Sequence, residues 1–283
     1  MNPILSPLAL LALASTLSNA LADEARLAGV LEAQTEEARA RYAYRHPQET
    51  LAFFGVTPGM TVVEALPGGG WYTRILVPYL GSEGTLIGAD YARDMYPLFG
   101  FFDAEFIEKK KTWVGDWTAE VEAWRGADGA RVKAFAFGSM PEEFKGTADA
   151  VLLIRALHNL NRFQDEGGFL TAALRNVYDV LKPGGIVGVV QHRAPADKLE
   201  EWADGSHGYL KQEFVVKRMQ DAGFEFIEAS EMNANPQDQP GEEDVVWRLP
   251  PSLATSREDP ELAERMQAIG ESDRMTLRFR KPE

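Results

Sequence analysis

Hydrophobic and polar positions follow two rhythms along this chain. Short apolar runs of strand length alternate with longer stretches whose apolar positions recur at helical spacing. Met60–Ala65, Thr85–Ala89, Arg131–Phe137, Ala148–Ile154, Gly185–Val190, Phe224–Ala229 and Met275–Arg280 read as strands. Tyr72–Leu80, Phe169–Leu181 and Gln212–Ala222 read as helices between them. This alternation predicts an α/β fold, a mostly parallel sheet with helices on both faces. Ahead of it, Glu24–Arg45 carries Leu27, Val30, Leu31 and Ala38 near helical spacing. Pro47 interrupts, and Gln48–Phe54 has room for another turn or two. Two stretches break the rhythm. Residues 91–130 are longer than one connecting helix needs and hold Phe99, Phe101, Phe102, Phe106 and three tryptophans. Asn233–Glu243 is a polar, proline-containing loop.

The first 22 residues stand apart, because they carry no charged side chain and are followed at once by Asp23-Glu24. The apolar run Ile4–Leu17 has the length of a signal-peptide core, and Ala20-Leu21-Ala22 fits an A-x-A cleavage site. No Lys or Arg precedes the run, which departs from the usual signal. The run is too short, and too broken by Pro7, Ser and Thr, for a membrane span. The expected organisation is a signal peptide (1–22), an N-terminal helical extension (23–54) and an α/β domain (55–283). The expected product is an exported, periplasmic protein with no stable membrane insertion after cleavage behind Ala22.

Charge and composition narrow the chemistry. The formal net charge is −14, and no basic stripe of the kind that tracks phosphates is present, so nucleic acid is not an expected partner. A small-molecule substrate is. The chain has no cysteine, which excludes thiol nucleophiles, Cys-ligated zinc and disulfides.

The stretch VVEALPGGGWYT, Val62–Thr73, carries the functional signal. In doubly wound sheets, ligands bind beyond the carboxyl ends of the strands, where strand order reverses. A dinucleotide loop requires G-x-G-x-x-G; here Gly68, Gly69 and Gly70 give G-x-G-x-x-T, and no GK[ST] follows. What remains is an acidic residue, Glu64, with glycines four and six positions later, and a second acid, Asp90, closing the next strand. A carboxylate about 20 residues past such a loop can accept from two ribose hydroxyls. A loop without a phosphate motif suits an adenosine lacking pyrophosphate.

These residues resemble those of the class I S-adenosylmethionine-dependent methyltransferases. The family's first motif, an acid followed by alternating glycines, is met by Glu64, Leu66, Gly68 and Gly70, with Leu66 where the first glycine is usual. Asp90 matches the second-motif carboxylate, TADAVLLIRALHNL the fourth strand and the segment after it, and LKPGGIVGVV the turn into the fifth strand. More narrowly, RHP, PGGGWYT, HNL, QHRA and NANPQD…VWRLPP are similar to a group of bacterial predicted methyltransferases with signal peptides. The resemblance covers residues 55–283. It implies a Rossmann-like, doubly wound sheet of seven strands, mostly parallel, with an antiparallel last strand supplied by RMTLRFR. It implies S-adenosylmethionine as cofactor, held by Glu64, Pro67, Gly68, Gly69, Gly70, Asp90 and Tyr91. No metal is expected.

Methyl transfer asks mainly for geometry, and for a base where the acceptor is a hydroxyl or a protonated amine. The chain has four histidines. His158 follows the fourth strand and His192 ends the fifth, so the two face one sheet edge and are the candidate catalytic pair. His46 and His207 are weaker candidates for the same edge. Arg155, Asn159, Arg193, Asn233 and Asn235 are candidate substrate contacts. Each also has a structural reading, as a cap, a strand-end hydrogen bond or a solvated loop. Three functions stay open: a small-molecule methyltransferase, a binding module that kept the fold and lost the chemistry, and a His/carboxylate metal-dependent hydrolase.

Overall fold

The computed structural model describes residues 21–283, so the expected signal peptide lies outside the described residues except for its last two positions. Seven strands are present: β1 (Thr61–Ala65), β2 (Thr85–Asp90), β3 (Arg131–Ala136), β4 (Ala148–Ile154), β5 (Leu181–His192), β6 (Glu225–Ser230) and β7 (Arg274–Arg280). They form one sheet in the order β3-β2-β1-β4-β5-β7-β6. β7 runs antiparallel to both of its neighbours, and the other pairings are parallel. This is the Rossmann-like fold expected, antiparallel last strand included. Strand order reverses between β1 and β4, which places a crevice at their carboxyl ends.

The strands are apolar on both faces because both faces are covered. Along β1 and β2, Val63 and Ile87 enter one core cluster while Val62 and Leu86 enter the other. The first cluster is closed by α8 (Leu157–Arg162), α10 (Phe169–Val180) and α11 (Gln212–Asp221), and α9 (Gln164–Gly167) links α8 to α10. The second is closed by α1 (residues 21–32), α4 (Pro47–Phe53), α5 (Thr73–Leu80) and α7 (Trp113–Trp124). α6 (Ala104–Lys109) and α12 (Pro260–Ile269) lie outside these layers. β6, at the sheet edge, is exposed along nearly its whole length.

One expectation changes. Glu24–Arg45 is not one helix: α1 stops at residue 32, and α2 (Glu36–Arg39) and α3 (Tyr42–Arg45) follow as separate turns. Thr35 restarts the helix, its hydroxyl accepting from the Ala38 amide. The segment 91–130, longer than one connecting helix needs, holds a 3₁₀ turn (Arg93–Phe99), α6 and α7, as its length implied. α12 was legible and unread: Asp259 caps it and Pro260 occupies its first turn. Among the described residues no helix is long and apolar enough to cross a membrane.

Candidate active site

The β1–β4 crevice opens into a cavity of about 360 Å³. Its floor is the β1–α5 turn. Gly68 and Gly70 have φ of 55° and 75°, conformations a side chain disfavours, so the glycines let the chain curl between strand and helix. Leu66 shares this left-handed region at φ 53° and donates its N–H to the Ala89 carbonyl at 2.7 Å. The backbone therefore keeps a glycine-like bend, while the leucine side chain lines the cavity. Glu64 lies beneath the loop, buried, and accepts the Thr73 hydroxyl at 2.7 Å. Burial pushes its carboxyl up to about 7 against the Thr73 hydrogen bond.

Asp90 closes β2 at the cavity wall. Its Oδ2 accepts from the Tyr96 hydroxyl (2.5 Å) and from the Lys110 ammonium (2.9 Å), and its Oδ1 accepts from no described residue. Lys110 comes from α6's C-terminal end and lies among Tyr96, Phe106 and Trp113, 4.9–5.7 Å from their ring centres. Phe102 stacks on Phe106 at 4.2 Å, and both line the cavity. Of the phenylalanines read from sequence, Phe102 and Phe106 thus line the site, while Phe99 packs in the core and Phe101 is exposed.

The opposite wall carries the histidines. The rings of His158 and His192 are 5.3 Å apart and both line the cavity. The Gln191 amide NH₂ donates to the His192 and Gly208 carbonyls, which turns Oε1 toward His158. Oε1 there meets the His158 backbone N–H and Nδ1 at 3.4 and 3.3 Å. Nδ1 of His158 therefore holds the proton and Nε2 is the basic atom. His192 Nδ1 pairs with the Ser272 hydroxyl at 2.5 Å. Burial drives His158 down to about 4. Burial, then His158 and Arg155, drive His192 well below the ordinary histidine value. Both are neutral imidazoles at pH 7, the form that accepts protons.

Arg155 follows β4 with φ 58°, an unusual backbone for a non-glycine residue and of the kind that clusters at functional sites. Arg155 is a lining residue of the cavity, and its side chain makes no hydrogen bond or ion pair with a described residue. Burial, then Arg274, bring it down to about 10. Beside it Glu271 receives Arg41 at 2.7 Å, and Arg45 and Arg274 at 3.1 Å each. Burial opposes ionisation of Glu271, but Arg274, Arg45, Arg41 and Arg155 outweigh it and hold the carboxyl below its ordinary value. Arg45 also stacks over Trp71 at 4.6 Å.

The cavity thus gathers Gly68, Asp90, Tyr91, Arg155, His158, Asn159 and His192 from the sequence-derived candidates. Asn159 donates to the Tyr91 hydroxyl at 2.8 Å, and its own Oδ1 is buried without a partner. Glu64, Pro67, Gly69 and Gly70 shape the loop without lining the cavity. Three substrate candidates have other duties. Asn233 is buried and donates to Thr50 and Thr276. Asn235 donates to the Ile269 and Glu271 carbonyls, fixing the 269–271 turn. Arg193 is spent on Asp273 and Glu231. The part of the 230–250 loop that does reach the cavity is its end, Val246, Trp247 and Leu249, pinned by the buried Arg248–Asp238 pair at 2.7 Å. His46 ends α3 and His207 stacks on Trp202 at 4.8 Å, both outside the cavity lining. Sequence reasoning missed Lys110, Glu271 and Ser272. Among the described residues no group of three or more His, Asp or Glu is set to hold a metal.

No protein-family profile matches the chain. No curated protein matches it in sequence either. Solved structures do. The [4+2]-cyclase SpnF superposes with a TM-score of 0.51 at 17% identity, over 84% of this chain and 81% of that one. A SAM-dependent methyltransferase from Aquifex aeolicus gives 0.47 at 16%, over 72% and 92%. A geranyl diphosphate methyltransferase in complex with SAM gives 0.48 at 14%, over 86% of each chain. At these identities the likeness is one of fold.

Proposed function

We propose that the chain transfers a methyl group from S-adenosylmethionine to a small-molecule acceptor, and that it does so after export. One observation carries this reading: the glycine turn, the Asp90 carboxylate and a pair of neutral histidines converge on a single cavity at the strand-order reversal. Fold alone would not suffice, since SpnF has a similar fold and is described as a cyclase.

The residues present fit the cofactor. Asp90 keeps Oδ1 for a ribose hydroxyl, Gly68 leaves room for a ligand against the backbone, and the buried Asn159 Oδ1 lacks a donor. S-Adenosylmethionine, when bound, supplies an already activated methyl group. The protein orients and deprotonates the acceptor. His192 and His158 are the bases for that proton, with Ser272 and Gln191 fixing their rings. Trp247, Phe102 and Phe106 give the cavity an apolar lining beside these polar groups. Leu66 favours a second reading, in which the chain binds an adenosine ligand without turnover, because its side chain takes part of the cavity.

Isothermal titration of the chain with S-adenosylhomocysteine tests the reading. Saturable heat is expected. Asp90→Ala should weaken binding roughly 10- to 150-fold, the effect of about 1.5–3 kcal/mol for one charged hydrogen bond. At Gly68 an added Cβ meets only the Leu66 carbonyl at 3.8 Å, so Gly68→Val should block the ligand more than it disturbs neighbouring side chains. A folded wild type giving no heat at millimolar ligand would sink the proposal. Export is tested by mass spectrometry of protein from its native host, where the mature N-terminus should be Asp23.

A further inference from the structure

The charge around Glu271 does not balance. Arg41, Arg45 and Arg274 pair with this one carboxylate, and Arg155 lies close enough to act on it as well. Four guanidinium groups against one carboxylate leave an excess of three positive charges in and behind one wall of the cavity. Arg45 and Arg274 are almost fully buried, and both terminal nitrogens of Arg45 have no hydrogen-bond acceptor. None of the other acids near the cavity pairs with these arginines: Asp90 meets Lys110, Asp273 shares Arg193 with Glu231, and Glu64 accepts only the Thr73 hydroxyl. Buried charge without a counter-charge is expensive. Such a cluster, with Arg155 lining the cavity and unpaired among the described residues, is what an oxyanion site needs before its ligand arrives.

The proposed methyl donor does not supply this balance. S-Adenosylmethionine carries a sulfonium and an ammonium against one carboxylate, so it adds positive charge overall. A second ligand has to bring the negative charge. The aromatic residues and Trp247 offer that ligand an apolar surface, and Arg155 lies close enough to both histidines to act on them. We infer that the methyl acceptor is a dianion, a phosphate monoester or a dicarboxylate on a partly apolar body, and that Arg155 is the residue that grips it. This rests on the methyltransferase reading for the word acceptor; the anion site itself does not. The forked donors of arginine match either oxyanion, so the shared chemistry is two or more negative oxygens on one group.

The test is a titration of the full chain with inorganic phosphate and, separately, with malonate at constant ionic strength, first alone and then saturated with S-adenosylhomocysteine. Wild type loaded with S-adenosylhomocysteine should bind at least one of the two, and which one binds identifies the oxyanion class. Arg155→Gln should weaken that anion roughly 10-fold or more, the loss of a charged hydrogen bond, and change S-adenosylhomocysteine affinity less than threefold. If Arg155→Gln does not fold by circular dichroism, Arg155→Lys replaces it; it keeps the charge without the fork, and at least a threefold loss is expected. Failure of wild type to bind either anion overturns the inference. So does equal anion binding by the variant, and so does a tenfold loss of S-adenosylhomocysteine with anion binding intact, which would assign Arg155 to the nucleoside ligand's own carboxylate. Anion binding without any S-adenosylhomocysteine heat would leave the anion site standing and remove the methyltransferase reading.

Discussion

Two carboxylates that line the cavity, Asp90 and Glu271, are met from different distances along the chain. The Asp90 carboxylate is met by Tyr96 and Lys110, six and twenty residues away. The Glu271 carboxylate is met by Arg41 and Arg45 from the far side of the sequence, 230 and 226 residues away. The first arrangement is a local product of one strand and the segment behind it. The second exists only once the N-terminal extension packs on the segment that leads into β7. A site that keeps one arrangement local and assembles the other from the chain's extremes can hold a common cofactor while its acceptor specificity varies separately. Substitutions at each of them test that division.

The largest effect is expected at His192. His192→Ala should cut turnover by roughly 10²–10⁴-fold, the usual worth of a positioned base, while S-adenosylhomocysteine affinity stays within about threefold. A collapse of affinity with unchanged kcat would move the cofactor to the histidines and break the division. Next is Glu271→Gln. It leaves the arginines without their shared partner, and loss of one member of a buried ion pair costs about 3–5 kcal/mol. Urea unfolding should register that cost in buffer lacking multivalent anions. A stability within about 1 kcal/mol of wild type would show that the arginines do not depend on Glu271.

A third, smaller effect concerns acid. His158 has its folded pKa lowered to about 4 from 6.5. The unfolded chain therefore takes up this proton first on acidification, so the associated stability is full above pH 6.5 and is lost as pH falls toward 4. Between pH 7 and pH 5 wild type should lose about 2 kcal/mol more than His158→Asn through this group alone. The comparison with the variant cancels Glu64, whose raised pKa acts in the opposite direction over an overlapping window. Equal pH dependence in the two proteins would mean that His158 is hydrated. The smallest effect is at Leu66. Leu66→Gly releases a left-handed residue worth about 1–2 kcal/mol and gives up apolar burial of comparable size. The unfolding free energy should shift by less than about 1 kcal/mol, and a larger loss would mark Leu66 as a packing anchor.

The sheet was readable because its strands are short, apolar on both faces and punctuated by glycine and proline. Glu64, the glycines and Asp90 were readable because the turn after β1 and the end of β2 are fixed by local spacing. Asn233 and Asn235 were read as substrate contacts, and the difference has a physical reason. Asn233 and Asn235 carry the same amide whether it meets a ligand or a buried backbone carbonyl, and sequence does not reveal which. Here both amides tie the loop to the core. Most of the arginine wall gave little local signal: Arg41 and Arg45 are ordinary charged positions until a long-range contact brings them beside Glu271, and only Arg274 lies close to it in sequence. The pair most usefully foreseen was His158 and His192, because adjacent parallel strands bring their ends to one edge.

The overall charge of −14 gives the arginine wall a kinetic consequence. An anion diffusing toward this protein is repelled at long range and attracted only at the cavity. Salt screens the first interaction more than the second, since the Debye length at physiological ionic strength is about 8 Å and Arg45, Arg274 and Glu271 are buried. Added sodium chloride should therefore speed the arrival of an anionic ligand, the reverse of the usual behaviour of an electrostatically steered pair. Its residence time, set inside the cavity, should change much less.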